Sequence, residues 1–161
     1  MKEVTIYTDG ACRGNPGPGG YGAILIYGQH KKAVSGGFRH TTNNRMEMTA
    51  VIAGLKALTK QCKVNLYTDS RYISDAVNKD WINKWKLRNW MRTNTDPVKN
   101  KDLWIELDDV RNKHQVSFYW VKGHSDNPLN NEVDEIAVKA SKETDKLKID
   151  SEFEAENGLF N

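Results

Sequence analysis

The chain has 161 residues, of which 38% are hydrophobic and 28% are charged, and its formal net charge is +3. These values are ordinary for one soluble globular domain, and no apolar run approaches the roughly 20 residues of a membrane-spanning helix. The N-terminus enters a strand-like run without a secretory apolar segment, so we expect a cytoplasmic protein. Cys12 and Cys62 are far apart in the chain, and we expect both to be free thiols.

The C-terminal end differs in charge from the rest of the chain. Residues 149–161 hold four acidic residues and no basic residue, so the preceding body is more basic than the total suggests. A basic body suits a polyanionic partner, although a merely soluble surface has a similar composition. We expect one folded domain over residues 1–145. Residues 146–161 are expected to form an acidic, flexible tail that folds back on the basic face or binds a protein partner.

The first half of the chain predicts a three-stranded meander and a helix. Apolar alternation predicts a strand over residues 4–8, ending in Asp9-Gly10. Glycine and proline predict a turn over residues 14–20, followed by strands at residues 21–27 and 32–38. A helix with good N-cap side chains begins near residue 42 and runs to about residue 60.

The second half alternates helices with strands. Strands are predicted at residues 63–68 and 115–121, and helices at residues 71–78, 81–91, 101–112 and 128–142. A meander followed by this alternation predicts an α/β fold. Its mixed sheet has five strands, three in an antiparallel meander and two parallel, and is covered by helices.

Two of the predicted strands carry the same pattern, V-x-[IL]-Y-T-D, at residues 4–9 and 64–69. The pattern gives Asp9 and Asp69 the same terminal position. If these strands are parallel neighbours, they lie about 4.8 Å apart, and ligands gather beyond such carboxyl ends. Taken singly, an aspartate before Gly or Ser is more often a turn former.

Two more acids fall on inward-facing helix positions. Glu47 shares a helical stripe with Val51 and Leu55, and Asp134 adjoins Val133 on the last helix. Each alone has an ordinary interpretation, as a first-turn acid or a surface acid. Four converging carboxylates would repel one another unless a divalent cation lay between them, and hard oxygen ligands favour Mg²⁺.

The segments that carry these residues closely resemble ribonuclease H of the type 1 class, from about residue 5 to residue 140. The matching blocks, in order, are TDGACRGNPGPGGYGA (residues 8–23), TTNNRMEM (residues 41–48), YTDS (residues 67–70), PVKNKDLW (residues 97–104) and WVKGHSDNP (residues 120–128). One TDG triplet is a weak signal, whereas five blocks in register are very specific.

The resemblance implies an endonuclease that hydrolyses the RNA strand of RNA–DNA hybrids as a monomer. It makes Asp9, Glu47, Asp69 and Asp134 the catalytic ligands of two Mg²⁺ ions, with Mn²⁺ as a substitute. It makes His124 a mobile loop residue that assists proton transfer or product release, although a lone loop histidine is usually unremarkable. The implied products carry 5′-phosphate and 3′-hydroxyl ends.

Contacts to the RNA strand require groups that recognise ribose 2′-hydroxyls in a shallow groove. The residues assigned to this strand with the help of the resemblance are Gly10, Cys12, Asn15, Asn43, Asn44 and Arg71. Asn15 before Pro16 is also a natural turn residue, and Asn43 and Asn44 are natural helix caps.

Contacts to the DNA strand are expected mainly from a basic protrusion at about residues 79–101. This segment has seven basic residues against two acidic ones and three interleaved tryptophans, a mixture that suits phosphate attraction and stacking. Within this segment the residues assigned to the DNA strand are Trp81, Lys84, Trp85, Lys86 and Arg88. The resemblance adds Thr42 and Asn100, which match the DNA-phosphate pocket of the family. A packing stripe is the alternative for Trp81 and Trp85, and Trp90 and Trp104 are expected in the core.

Three positions depart from the family pattern: Arg71 replaces a smaller polar residue, His40 an arginine, and Asn131 a glutamate. They affect contacts and affinity and leave the expected chemistry intact. Integrases and resolvases share the acidic architecture but cut DNA, which the asparagine cluster and the basic tryptophan segment disfavour. A binding module without cleavage would lack one of the acids, and a purely structural protein would leave the inward Glu47 unexplained.

Overall fold

The structure, a computed structural model, describes residues 1–123 and 126–157. The strands are β1 (Lys2–Cys12), β2 (Gly17–Tyr27), β3 (His30–Thr41), β4 (Cys62–Thr68) and β5 (Gln115–Trp120). The helices are α1 (Asn43–Lys56), α2 (Arg71–Asn78), α3 (Trp81–Leu87), α4 (Lys101–Arg111), α5 (Pro128–Lys142) and α6 (Ser151–Glu156), with a 3₁₀ turn at Thr144–Lys146.

The five strands form one mixed sheet in the order β3-β2-β1-β4-β5. β1, β2 and β3 pair antiparallel, whereas β4 pairs in parallel with both β1 and β5. Tyr7 lies opposite Tyr67, and Thr8 lies opposite Thr68. This register confirms the predicted sheet and makes the two strands with the repeated pattern neighbours.

Helices cover both faces of the sheet. The larger core includes Ile6, Leu66 and Val51, and the indole of Trp104 is fully buried in it, as expected for that residue. On the opposite face, Val133 of α5 packs against Tyr7 and Ile24. Both faces of β1 are therefore covered by helices.

The first two strands are longer than predicted. β1 continues to Cys12, because it stays paired with β2 after its parallel pairing with β4 ends at Thr8. The predicted turn over residues 14–20 was partly wrong, since β2 begins at Gly17. A Cβ atom on Gly20 would lie 2.2 Å from the carbonyl oxygen of Ala137. Glycine is needed here so that α5 can pack closely on the strand.

Two helices end earlier than predicted. α1 ends at Lys56, about four residues before the expected end. α3 ends at Leu87 and not near residue 91, because Asn89 and Trp90 have φ angles of 55° and 61°. Left-handed backbone cannot continue a right-handed helix. Trp90 still packs against the core, as expected.

The C-terminal segment, residues 144–157, packs against the body. The flexible tail expected from residue 146 therefore differs from the structure, in which Asp150 and Glu154 are 7% and 1% exposed. Both acids have basic partners: Arg45 contacts Asp150, and Arg39 contacts Glu154 at 2.7 Å. Ion pairing inside the chain thus takes the place of the disorder that the acidic composition suggested.

Within the described residues, no helix is both long and apolar enough to cross a lipid bilayer. Cys12 is half-buried, Cys62 is buried, and both are free thiols, as expected.

Candidate active site

Three acidic side chains converge where β1 and β4 separate. Asp9 lies in β1, Glu47 in the second turn of α1, and Asp69 directly after β4. One carboxylate oxygen from each lies within 4.8 Å of the others. Asp9 and Glu47 are only 2% and 5% exposed, and Asp69 is half-buried. The sequence pattern had predicted this convergence for Asp9 and Asp69, and the inward stripe of α1 had predicted it for Glu47.

The close approach of β1 to α1 positions two of these acids. A Cβ atom on Gly10 would lie 2.4 Å from the backbone nitrogen of Glu47, a distance that only glycine avoids. The Gly10 N–H also donates to Oδ1 of Asp9 at 2.9 Å. Gly10 therefore holds the Asp9 side chain and allows Glu47 to lie beside it.

Burial and mutual repulsion shift the protonation of this cluster. Burial raises the pKa of Asp9 from 3.8 to about 8, and the charges of Asp69 and Asp134 act in the same direction. Burial and the negative charges of Asp9 and Asp69 raise the pKa of Glu47 well above its usual value. Burial also raises the pKa of Asp69. Without a cation, the cluster is therefore held partly protonated near neutral pH.

The donor set fits a hard divalent cation. Within the described part of the chain, Oε2 of Glu47 is buried and has no hydrogen-bond partner. A buried carboxylate oxygen without a partner is costly, and a cation would satisfy it. All the converging ligand atoms are carboxylate oxygens, which suit Mg²⁺ better than softer metals.

Asp134 lies on α5 at the edge of the cluster. It is half-buried, between the buried residues Val133 and Ala137, and its charge raises the pKa of Asp9. Asp134 thus adds negative charge near the site, although it is not one of the three residues whose oxygens lie within 4.8 Å of one another.

His124, the fifth predicted catalytic residue, lies outside the described residues. Gly123 precedes it, and a Cβ atom there would lie 3.0 Å from Oδ2 of Asp69.

A polar groove lies between the N-termini of α1 and α4. Its volume is about 560 Å³, and it brings together predicted contacts to both strands, namely Asn15, Thr42, Asn43, Asn44 and Asn100. Oδ1 of Asn15 accepts a hydrogen bond from the backbone N–H of Asn43 at 3.0 Å. The hydroxyl of Thr42 caps α1 by accepting from the backbone N–H of Arg45 at 3.3 Å. We name this cavity the asparagine groove.

Two predicted RNA-strand contacts lie apart from the asparagine groove. The Cys12 thiol donates to the carbonyl oxygens of Gly17 and Thr41, each at 3.4 Å. The guanidinium of Arg71 stacks on Trp120, 3.9 Å from the ring centroid, and Nε1 of Trp120 donates to the backbone oxygen of Asp69 at 3.0 Å. Trp120 therefore connects Arg71 to the backbone of Asp69, a member of the carboxylate cluster.

The basic protrusion presents its charges outward and its indoles inward. Lys84 and Arg88 are exposed, whereas Lys86 forms a 2.9 Å ion pair with buried Asp108. Trp81 and Trp85 are half-buried and pack against the core. The sequence left open whether these two tryptophans pack in the protein or contact DNA. Their contacts with the core favour packing.

The sequence interpretation missed the residues that surround Arg45. This guanidinium is 2% exposed and donates to Asp102 and Asp150, while Asp150 also accepts from the Thr41 hydroxyl at 2.7 Å. It also missed Phe153, Glu156 and Asn157 as walls of the asparagine groove. The one available signal was the concentration of acids in residues 150–156 of a basic chain.

A mixed α/β sheet with converging carboxylates where the parallel pairing of two neighbouring strands ends defines a class of proteins suited to hold divalent cations. The ribonuclease H family model matches residues 1–142. Ribonuclease H of Rippkaea orientalis is 57% identical over 143 residues, 89% of this chain and 88% of that protein. Ribonuclease H of Tolumonas auensis is 50% identical over 153 residues, 95% of this chain and 98% of that protein. The chain therefore belongs to the ribonuclease H family.

Solved structures agree with this assignment. The crystal structure of LC9-RNase H1, a type 1 ribonuclease H, matches with a TM-score of 0.80 and 32% identity, over 88% of this chain and 72% of that chain. LC11-RNase H1, solved in complex with an RNA/DNA hybrid, matches with a TM-score of 0.66 and 21% identity, over 88% of this chain and 98% of that chain. The second likeness shows the fold alone. The predicted family and the predicted fold are both confirmed.

Proposed function

We propose that this chain hydrolyses the RNA strand of RNA–DNA hybrids with the help of two Mg²⁺ ions. The observation that carries the proposal is the convergence of Asp9, Glu47 and Asp69 in a member of the ribonuclease H family, with one oxygen from each within 4.8 Å of the others. In this proposal Asp134 completes the set of four ligands. Mn²⁺, another cation with a preference for oxygen ligands, is expected to substitute.

The proposed chemistry needs no protein nucleophile. Bound Mg²⁺ supplies a water of lowered pKa and stabilises the charge on the leaving oxygen. Water adds its oxygen to the phosphorus as the bond to the 3′ oxygen breaks, leaving 5′-phosphate and 3′-hydroxyl ends. The carboxylates hold and orient the ions, because their repulsion in a buried site favours binding of positive charge. His124 is proposed to accept or return a proton near the leaving group.

The asparagine groove supports recognition of both strands. Amide side chains of Asn15, Asn43 and Asn44 offer the donors and acceptors that a 2′-hydroxyl requires, and Gly10, Cys12 and Arg71 are proposed to complete the contacts to RNA. The DNA strand is proposed to lie against Thr42 and Asn100 and along the exposed charges of the protrusion. A monomer in the cytoplasm stays a prediction from the sequence, as does a protein partner for the acidic segment.

A strand-labelled gel tests this function directly. RNA–DNA hybrid, double-stranded RNA and double-stranded DNA are each incubated with Mg²⁺ or with EDTA. We expect cleavage of the RNA strand of the hybrid alone, and only with Mg²⁺. Cleavage of double-stranded DNA would favour the integrase-like alternative, and intact hybrid in Mg²⁺ would contradict the proposal.

A further inference from the structure

Helix α6 forms a third side of the asparagine groove. Besides the N-terminal residues of α1 and α4, the groove is lined by Phe153, Glu156 and Asn157. Glu156 also lines the adjoining cavity of about 670 Å³, together with Arg92 and Lys99. An acidic side chain therefore faces the surface at which phosphate contacts are proposed.

The other two sides of the groove attract anions. These sides are the N-terminal ends of α1, which has 14 residues, and of α4, which has 11, and the groove is lined there by Thr42 and Asn100. The dipole of each helix adds a partial positive charge at this end. Lys99, which is exposed and basic, also lines the groove. A phosphodiester is the group in a nucleic acid that matches this environment.

α6 is held firmly in this position. The backbone of Lys148 exchanges hydrogen bonds with β3, donating to Gly37 and accepting from Arg39 at 2.9 and 2.8 Å. Glu154 is 1% exposed and forms two-pronged contacts with Arg39, at 2.7 and 3.0 Å. The Phe153 ring lies 5.4 Å from the ring of His40. Glu156 is therefore part of a wall that is fixed to the domain.

Stability of the helix does not account for an acid at residue 156. Glu156 is the last residue of α6, where a negative charge opposes the helix dipole. Glu152 lies four residues earlier on the same helix, and like charges at that spacing repel. Both side chains are exposed. The feature that distinguishes Glu156 from Glu152 is that it lines the groove.

We propose that Glu156 forms an acidic wall of the asparagine groove and weakens the binding of a phosphodiester of the DNA strand there. This inference rests on the proposed function, because it takes the hybrid as the ligand. A carboxylate opposite two helix N-termini lowers the affinity for every polyanion that enters the groove. Glu156 thereby limits retention of nucleic acid at a site that would otherwise hold phosphate more tightly.

Binding of a fluorescently labelled hybrid in EDTA, where the RNA stays intact, tests this role. We expect Glu156→Gln to lower the dissociation constant by about two- to fivefold at about 0.05 M salt, and the difference to vanish at about 0.5 M salt because ions screen exposed charges. Glu152→Gln removes the same charge from the same helix without touching the groove, and should change the dissociation constant much less. Urea unfolding checks that both variants keep the stability of the parent.

The outcomes separate this inference from the function on which it rests. Equal dissociation constants for E156Q, E152Q and the parent would overturn the role of Glu156 and leave hybrid cleavage standing. An equal gain in both variants would also overturn it, since the effect would then be one of net charge. Failure of the unchanged chain to bind or cleave the hybrid would reject the proposed function and this inference together.

Discussion

Arg45 donates hydrogen bonds of 2.8 and 2.9 Å to Asp150, although 105 residues separate the two along the chain. Both side chains are buried, and Arg45 lies in the first turn of α1, two residues before Glu47. The C-terminal segment is thus fastened to the helix that carries a predicted metal ligand. Disruption of this ion pair is expected to lower the stability of the fold, and to affect the site through the position of α1.

Asp150→Asn is expected to lower the free energy of unfolding by about 2–4 kcal/mol, because it leaves the buried guanidinium of Arg45 with only the Asp102 carboxylate. Urea unfolding followed by circular dichroism measures the loss. Glu152→Gln, an exposed change nearby, should stay within about 0.5 kcal/mol of the parent. Equal stability of the two variants would show that the ion pair contributes nothing.

Stability without metal should fall as the pH rises through the range set by Asp9. The folded chain keeps this proton up to about pH 8, whereas the unfolded chain releases it near 3.8. The folded state therefore binds more protons between these values, and its stability decreases with increasing pH. In EDTA, Asp9→Asn should exceed the parent by about 1–3 kcal/mol at pH 8, with no difference near pH 4.

Urea unfolding in EDTA at a series of pH values measures this difference. Addition of Mg²⁺ should reverse the order at pH 8, because the parent gains stability from a bound cation and the variant loses a ligand. A gap between the two proteins that does not change with pH would contradict the role of burial at Asp9.

Asp69→Asn should keep hybrid binding and lose Mg²⁺-dependent cleavage. The change preserves the shape of the side chain but removes one of the three converging charges. Gel shift and strand-labelled cleavage with the same hybrid separate the two properties. Asp109→Asn, an exposed change outside the cluster, is the control and should cleave normally. Retained turnover by D69N would eliminate the proposed metal role.

Neutralising the exposed charges of the protrusion should weaken hybrid binding and flatten its dependence on salt. Lys84→Gln with Arg88→Gln is the better test, since Lys86 also neutralises buried Asp108 and its loss would affect folding. The slope of log K against log salt should decrease by about 0.7–0.9 for each phosphate that the variant no longer neutralises. A double variant at Lys60 and Lys113, both exposed, should keep the slope of the parent.

The repeated strand pattern carried most of what the sequence could predict. Identical positions on two strands were enough to bring Asp9 and Asp69 together, because parallel pairing puts Thr8 opposite Thr68. The inward stripe of α1 likewise predicted that Glu47 is buried. Local periodicity was sufficient for these residues, since strand and helix geometry fix the direction of a side chain.

Features that depend on contacts between distant parts of the chain could not be predicted from the sequence. Gly20 looked like part of a turn, but it pairs with Ala11 and Gly37 in the sheet, and its missing side chain leaves room for the Ala137 backbone. Glu154 looked like a residue of a solvated tail, but its partner Arg39 lies 115 residues away. Composition shows that an acid is present and gives no information on which base it meets. Two left-handed residues, Asn89 and Trp90, similarly shortened α3 against its apparent periodicity.

The backbone pairing of Lys148 with β3 also has a consequence for the solubility of the protein. β3 is an outermost strand of the sheet, and the backbone of Lys148 pairs with the C=O group of Gly37 and the N–H group of Arg39. Unpaired groups on such a margin recruit strands from other copies and begin aggregation. The segment around Lys148 therefore protects this part of the edge strand, and a chain shortened before Leu147 is expected to self-associate more than the parent.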